Sequence, residues 1–218
     1  MVHARFYLLN RMDLEMEVVT NGLVSHGIPK EQVQATGSCD GSLFMSYQNV
    51  PVKTYYNFVR VDGKPAVMGS AIKGTVRRNL RDKADELLGG KYENEPIESF
   101  FYFGNFVYSG GEPGKDFTQV YIMNFRNDIY EVALRGAKFS GSIYCKDIKK
   151  KEDLEGYSNI VLNALKVGKN ENFFIGKYSV KGSHNRAVPV TFVLQSSVSQ
   201  RWIFGGVKFR VIKGCDTK

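Results

Sequence analysis

The sequence predicts an α+β fold in which two helices are set among strands. Residues 69–88 and 152–167 repeat apolar side chains at the spacing of a helix with one buried face. Apolar runs of strand length lie before, between and after these two segments. The order of elements is therefore strand, helix, strand, strand, helix, strand, with further hairpins inserted. This order is typical of a ferredoxin-like fold.

The composition is that of a globular protein with a basic surface. Of the 218 residues, 43% are hydrophobic and 24% are charged, which suits a single domain spanning residues 1–218. Lysine and arginine number 30 against 22 aspartates and glutamates, so the formal net charge is +8. An excess of this size favours a polyanionic partner.

Membrane, secretion and metal signals do not stand out. No apolar run has the length of a membrane span, and the residues after Met1 lack a signal-peptide pattern. Cys39, Cys145 and Cys215 are far apart and form no Cys-x-x-Cys pair, which argues against a zinc site and against a disulfide framework. We therefore expect a cytoplasmic protein with no membrane partner and no bound cofactor.

The first sixty residues are predicted to contain strands separated by loops. Alternating and β-branched residues favour strands at 5–9 and 14–19 and an extended segment at 50–61. Glycine, proline and other polar residues favour loops at 20–30 and 32–47.

Residues 69–78, which read GSAIKGTVRR, organise the rest of the chain. Gly69 allows close approach of a backbone, and Ser70 is predicted to cap the helix. The first N–H groups of a helix have no partner within it, so this end is suited to holding a phosphate. Lys73 and Arg77 extend that site along one flank, and Arg81 lies beside the buried stripe.

Two other interpretations apply to the same stretch. One is an amphipathic helix whose basic face is simply solvated. The other is a nucleotide-binding P-loop, which requires Gly, four residues, Gly, Lys and then Ser or Thr. Here Lys73 precedes Gly74 instead of following it, so mononucleotide binding is excluded.

This stretch resembles the signature of the RAMP superfamily, the repeat-associated RNA-binding proteins of CRISPR interference complexes. The family pattern Gly-Ser-Ser-Leu-Lys-Gly-x-x-Arg stands here as GSAIKGTVR, with Ala71 in place of the second serine. The lead-in GKPAV at 63–67 and the pair Phe103 and Gly104 are similar to family positions before and after the helix. The resemblance implies a ferredoxin-like, RRM-related core with inserted β-hairpins and a glycine-rich loop.

Two strand-like runs flank a turn-rich loop at 109–115. The first, 100–108, is predicted to be a buried strand, although it resembles the RNA-stacking motif of RRM domains with one extra residue. The second covers 117–125. The resemblance implies that an insertion near 100–135 forms a thumb-like hairpin that folds over guide RNA. Its aromatic residues either pack on a base or join the core.

The last third is predicted to hold the second helix, a basic loop and further strands at 136–145, 188–194 and 202–212. The loop resembles the glycine-rich loop of RAMP proteins. Its small residues let a sugar-phosphate chain approach, and its basic residues supply charge. The residues expected to contact RNA there are Gly176, Lys177, Lys181, Gly182 and Arg186. The alternative is an ordinary surface loop.

The resemblance implies a subunit that binds guide (CRISPR) RNA within a type III effector complex. On the helix side, the residues expected to contact RNA are Gly69, Ser70, Lys73, Arg77 and Arg81. Contacts from a helix and a loop to phosphates hold an RNA whatever its sequence. The implied partners are the guide RNA, other RAMP subunits and copies of this chain. A subunit that caps one end of the filament is an alternative position.

A ribonuclease is the alternative from another functional class. Backbone subunits of type III complexes carry an RNA-cutting aspartate shortly before the signature, and this position falls near Lys53 and Thr54, which lack a carboxylate. Asp40 is then the candidate catalytic residue, acting with a divalent ion. A metal-free enzyme that processes repeat RNA would instead use a histidine such as His26 with lysines.

Overall fold

The structure, a computed structural model, describes residues 10–24, 29–30, 54–92, 95–110, 113–122, 128–146, 151–176 and 204–214. The predicted strands at 5–9 and 188–194 and the predicted loop at 32–47 lie outside these residues. None of the described helices combines the length and the apolar composition that crossing a bilayer requires.

The elements follow one another along the chain as β1 (Asn10–Val18), β2 (Gly22–Val24), β3 (Pro29–Lys30), β4 (Thr54–Tyr56), β5 (Val59–Val61), β6 (Lys64–Val67), α1 (Gly69–Leu80), a 3-10 turn (Arg81–Lys83), α2 (Ala84–Leu88), β7 (Gly90–Tyr92), β8 (Glu95–Ile97), β9 (Phe101–Phe103), β10 (Phe106–Tyr108), α3 (Pro113–Asp116), β11 (Phe117–Ile122), β12 (Asp128–Leu134), β13 (Lys138–Cys145), α4 (Lys151–Ala164), β14 (Phe173–Phe174) and β15 (Gly206–Lys213).

Among the described residues, the larger sheet has eight strands in the order β14-β15-β1-β13-β10-β6-β5, with β9 also paired to β13. Every pairing in it is antiparallel. Along the chain, α1 lies between β1 and β9, and α4 lies between β13 and β15. The α+β class predicted from the sequence is confirmed.

The strands β9 and β10 are two halves of one bulged strand. Both pair with β13, but Phe103 stands opposite Ile143 whereas Val107 stands opposite Ser140, so the register shifts by one residue between them. Gly104 and Asn105 form the interruption. The predicted strand at 100–108 is therefore correct, and the extra residue noted in the sequence is the bulge.

Strand alternation decides which face of the larger sheet is buried. The buried cluster includes Met12, Leu14, Met16 and Val18 of β1, Ile72 and Val76 of α1, and Leu154 and Val161 of α4. Each side chain of this size contributes about 1.5–3 kcal/mol when fully buried. We call the opposite side the open face; it carries Asp13, Glu15 and Glu17 of β1, Ser140, Ser142 and Tyr144 of β13, and Lys208 and Arg210 of β15.

The predicted single helix over 69–88 is wrong in one respect, because the structure divides it. Arg81 adopts a positive φ of 51° and ends α1, and the 3-10 turn then redirects the chain into α2. The bend lets Leu87 and Leu88 become 1% exposed. Gly89, with φ 74°, ends α2.

A second sheet has the order β11-β12-β4-β3, with β2 also paired to β12. Its β11–β12 hairpin is tied to the larger sheet through Glu131, which is 8% exposed. The carboxylate of Glu131 accepts hydrogen bonds from Arg60 Nη2 at 2.6 Å, from Arg60 Nη1 at 3.0 Å and from the Phe58 N–H at 2.8 Å.

A second tie connects the base of this hairpin to β10. The Tyr108 hydroxyl donates to Asp116, and burial together with this contact raises the pKa of Tyr108 to about 12. The rings of Tyr108 and Phe117 meet edge to face at 5.0 Å between centroids. The described part of the predicted strand at 117–125 is thus anchored through its first residue.

Short strands lie at two places where the sequence does not reveal them. The predicted loop at 20–30 holds β2 and β3, and the β7–β8 hairpin follows α2. In β2, Leu23 and Val24 are at most 1% exposed because they pair with β12. Tertiary packing therefore outweighs the local turn propensity of this segment.

Candidate nucleic-acid interface

The start of α1 is held by a residue from the bulge in the larger sheet. Met68 occupies the cap position with extended backbone, φ −64° and ψ 131°, and Gly69 is the first helical residue. The Gly69 N–H donates to Asn105 Oδ1 at 3.1 Å. The prediction that Ser70 caps the helix is wrong: Ser70 is the second helical residue, and its side chain is exposed.

Gly69 is required by the packing of the chain on itself. A Cβ at this position would lie 2.0 Å from the Phe103 carbonyl oxygen and 2.5 Å from that of Gly104. Both distances are far below van der Waals contact. The structure thus confirms that Gly69 allows close approach of a backbone, and that backbone is the bulge between β9 and β10.

Lys73 lies one turn further along α1 and is half-buried. Its Nζ donates to Ser99 Oγ at 3.2 Å, and Ser99 Oγ donates to the Phe101 carbonyl at 2.6 Å. Burial, with a smaller effect from the charge of Arg77, lowers the pKa of Lys73 below its usual value. A nearby anion such as a phosphate would favour the charged amine again.

Arg77 is directed along the helix toward α2. Its guanidinium contacts the Asp85 carboxylate and the Gly89 carbonyl and lies 3.3 Å from the Leu88 carbonyl. It therefore satisfies carbonyls at the end of α2 and supports the bend at Arg81. Its side chain remains 38% exposed, so its charge still faces solvent.

We call Lys73, Arg77 and Arg81 the basic flank of α1, because at about 100° per residue they lie within about 80° of one another around the helix; Arg78 lies on the adjoining exposed side. Arg78 and Arg81 are exposed, and Arg78 Nη2 donates to Thr75 Oγ1 at 2.6 Å. Gly74 lies next to Lys73, and apart from its own stretch of helix no described atom lies within 4 Å of the place where its Cβ would stand. The flank thus combines cations with open space beside the helix backbone.

The described part of the glycine-rich loop does not meet this flank. Gly176, with φ 86°, follows β14 at one edge of the larger sheet, and its absent Cβ would lie 2.4 Å from the Val24 carbonyl. Gly69 packs near β9, and four strand spacings of about 4.8 Å put roughly 19 Å between β14 and β9. Lys177, Lys181, Gly182 and Arg186 lie outside the described residues.

The open face carries ion pairs rather than a uniform charge. Glu15 lies 3.1 Å from Arg210 and 3.5 Å from Lys138. Asp13 accepts Arg11 Nε at 2.5 Å and Ser142 Oγ at 2.6 Å. Burial opposes ionisation of Asp13, but the hydrogen bonds and charges around it hold its pKa below the usual value.

A groove of about 400 Å³ borders the same face beside β15. Its charged lining consists of Glu15, Glu17, Lys166, Lys169, Lys208 and Arg210. Four cations face two carboxylates there, so the groove is weakly basic. It lies on the β15 side of the sheet and includes Lys166, which closely follows Ala164, whose carbonyl accepts a hydrogen bond from Asn79 of α1 at 2.9 Å.

The residues proposed for catalysis are not placed by the structure. Asp40 and His26 both lie outside the described residues. Among the residues that are described, no group of three or more histidine, cysteine, aspartate or glutamate side chains is arranged to hold a metal ion.

Sequence reasoning missed the two polar residues that fix α1. Asn105 and Ser99 are 36 and 26 positions away from the residues they contact. A glycine followed by asparagine inside an aromatic run is a turn signal, and this signal marks the bulge at Gly104 and Asn105. No local pattern identifies Ser99.

No protein-family model matches the sequence, and no curated protein matches it. The fold is similar to that of a chain in the Csm3–Csm4 subcomplex of the type III-A CRISPR-Cas interference complex, with a TM-score of 0.46 and 13% identity, covering 94% of this chain and 78% of that one.

Two further similarities are to chains of related assemblies. A chain of a type IV-B CRISPR complex gives a TM-score of 0.43 and 11% identity over 86% of this chain and 99% of that one. A chain of the type III-B Cmr-beta complex bound to cognate target RNA gives 0.39 and 16%, over 74% and 55%. All three similar chains come from CRISPR complexes.

Proposed function

We propose that this chain binds guide RNA as a subunit of a type III CRISPR ribonucleoprotein effector complex. The observation that carries the proposal is the position of the RAMP-like signature at the start of α1. Gly69 of that signature packs on Phe103 and Gly104, the other pair that is similar to the family pattern. Two matches that are distant in sequence thus belong to one junction of the fold.

The strand order supports a ferredoxin-like core for this subunit. In chain order, the four core strands are β1, the bulged strand β9–β10, β13 and β15. Across the sheet they lie in the order β15, β1, β13 and β9–β10, so the fourth strand is followed by the first, the third and the second. The two helices α1 and α4 then serve as the crossovers of interleaved βαβ units. The β11–β12 hairpin is our candidate for the thumb that folds over the RNA.

The basic flank of α1 is suited to holding an RNA backbone. Its cations can contact phosphates, which carry no sequence information, so one site accepts guides of any sequence. Lys73 gains most from such a contact, because a phosphate favours the charged amine that burial disfavours. The glycine-rich loop is proposed to extend these contacts, and other RAMP subunits to continue them along the filament.

The first test is to purify the protein from its native host and identify what accompanies it. We expect CRISPR repeat-derived RNA and further subunits of an effector complex. Recovery of the chain alone, free of RNA under low-salt conditions, would contradict the proposal.

The second test locates the site with a double substitution, Lys73→Ala and Arg77→Ala. Affinity for single-stranded RNA should fall equally for unrelated sequences, and the salt slope should flatten by about 0.7 to 1 unit for each phosphate that no longer faces a cation. The matched control is Lys169→Ala with Lys208→Ala, which removes the same charge from the groove beside β15. Equal reductions of affinity in both double variants would indicate general electrostatics instead of a site on α1.

A further inference from the structure

A row of three side chains crosses the open face at its β9 edge. Tyr102 of β9 stands directly opposite Tyr144 of β13, and Tyr144 stands opposite Arg11 of β1. Their neighbours Phe101, Cys145 and Met12 are at most 1% exposed, so alternation places the row on the other side of the sheet. Tyr102 is 39% exposed, and the Arg11 side chain is 58% exposed.

Both tyrosine rings are positioned by their surroundings. The Tyr102 hydroxyl donates to Glu98 Oε1 at 3.0 Å, and Glu98 also pairs with Lys146. The Tyr144 ring lies beside Gly104, because a Cβ on that glycine would be 3.5 Å from Tyr144 Cε2. Directly opposite residues of antiparallel strands hold their Cβ atoms about 4.5–5.5 Å apart. The two tyrosines therefore stand on adjacent strands of the same face, with the Tyr102 hydroxyl directed toward Glu98 and the Tyr144 ring beside Gly104.

The charges around this row favour a polyanion. Arg11, Lys146 and Lys213 are the cations beside it, against Asp13 and Glu98. Both carboxylates already have cationic partners: Asp13 pairs with Arg11, and Glu98 pairs with Lys146. The corner keeps a net positive charge, which complements the phosphates of a nucleic acid.

We propose that Tyr102 and Tyr144 form a stacking platform for two consecutive unpaired bases of single-stranded RNA, with Arg11 at its end facing a phosphate. This inference rests on the proposed RNA-binding function and adds a second contact surface to it. Aromatic side chains stack on any base, so the platform is compatible with binding that ignores sequence. It also requires unpaired bases, since bases inside a duplex are already stacked.

The bulge connects this platform to α1. Gly104 touches Gly69 at the start of the helix and leaves room for the Tyr144 ring. Asn105, the other bulge residue, accepts a hydrogen bond from the Gly69 N–H. A single strand of RNA can therefore pass from the α1 flank around the edge of β9 to the two rings.

The test uses the full-length protein and single-stranded RNA that contains 2-aminopurine, whose fluorescence falls when the base stacks. Tyr102→Ala and Tyr144→Ala should each weaken binding about tenfold and reduce the quenching, while the salt slope stays unchanged. Tyr102→Phe and Tyr144→Phe keep the rings and should bind within about twofold of wild type. Ser140→Ala, on the same face but without a ring, is the matched control and should change neither signal. Thermal denaturation of each variant checks that it is folded.

The outcomes separate the platform from the RNA-binding function itself. If folded alanine variants bind and quench as wild type does, while the Lys73 and Arg77 double variant binds more weakly, the platform is wrong and the proposed function stands. If the wild-type protein binds no RNA, both are wrong. If the alanine variants keep RNA affinity but no longer purify with a neighbouring protein subunit, the row is a protein contact and the platform is likewise overturned.

Discussion

Two glycines of the signature have different roles although they share one helix. Gly69 faces the backbone oxygens of Phe103 and Gly104, whereas no described atom lies near the Cβ position of Gly74. In a helix interior, alanine is more favourable than glycine by about 1 kcal/mol. At position 69 a steric conflict with fixed backbone opposes that gain, and at position 74 nothing described opposes it.

We therefore expect Gly69→Ala and Gly74→Ala to change stability in opposite directions. Overpacking at position 69 should destabilise by about 1–3 kcal/mol, more than helix propensity returns. The variant at 74 should be more stable by up to about 1 kcal/mol. Urea denaturation measures both, and equal effects at the two positions would show that Gly69 is not constrained by the bulge.

The pKa of Lys73 gives RNA binding a dependence on pH. Burial favours the neutral amine and so lowers the pKa of Lys73. The stability of the fold therefore rises as the pH increases through this lowered pKa. The positive charge of Lys73 is also lost at a lower pH than the charge of an exposed lysine. RNA affinity of the wild type should therefore decline on the alkaline side earlier than that of Lys73→Arg, whose guanidinium stays charged. RNA affinity measured at constant ionic strength from neutral to alkaline pH tests this prediction. Identical pH dependence of affinity in the wild type and in Lys73→Arg would exclude Lys73 from the site.

At the level of elements, the hairpin β11–β12 depends on a polar anchor. Glu131 receives three hydrogen bonds from Arg60 and Phe58, and its carboxylate is almost inaccessible. Arg60 is 40% exposed on its side chain, so solvent weakens the ionic part of this interaction. The Phe58 N–H is buried away from solvent, so it depends on the Glu131 carboxylate for its hydrogen bond.

Replacing Glu131 with alanine should destabilise the protein by about 1–3 kcal/mol, because a buried donor is left without its acceptor. Glu155→Ala removes the same charge from an exposed position on α4 and should change stability by no more than about 0.5 kcal/mol. Hydrogen exchange should show that protection decreases mainly in β11 and β12. A uniform decrease across both sheets would mean that Glu131 does not anchor the hairpin specifically.

The sequence predicts the elements with strong local patterns and misses those made by distant contacts. The alternation in β1 identifies its buried face, and the apolar spacing identifies α1 and α4, since each pattern lies within one element. The turn at Arg81 depends on burying Leu87 and Leu88 elsewhere in the fold. The partners of Gly69 and Lys73 likewise come from the segment around β9, so spacing along the chain does not reveal them.

At the level of the whole molecule, the net charge of +8 favours binding of a polyanion, whereas a catalytic role depends on a carboxylate near the signature. In the cleaving backbone subunits of the family that the sequence resembles, an aspartate precedes the signature, and the corresponding position here falls near Lys53 and Thr54. We therefore expect the isolated protein to show weak or absent cleavage of target RNA with magnesium. Time courses with labelled RNA, with and without a chelator, measure this. Strong magnesium-dependent cleavage that disappears in Asp40→Ala would reverse the prediction and identify Asp40 as the metal ligand.

The open space beside Gly74 implies a trade-off between folding and binding. A mid-helix glycine weakens the native state, and within the described residues its missing side chain accommodates nothing. Such a position is useful if a sugar-phosphate chain lies directly against the helix at Gly74, beside Arg77, Arg78 and Arg81. A methyl group there would then make the protein harder to unfold and, at the same time, a poorer host for RNA.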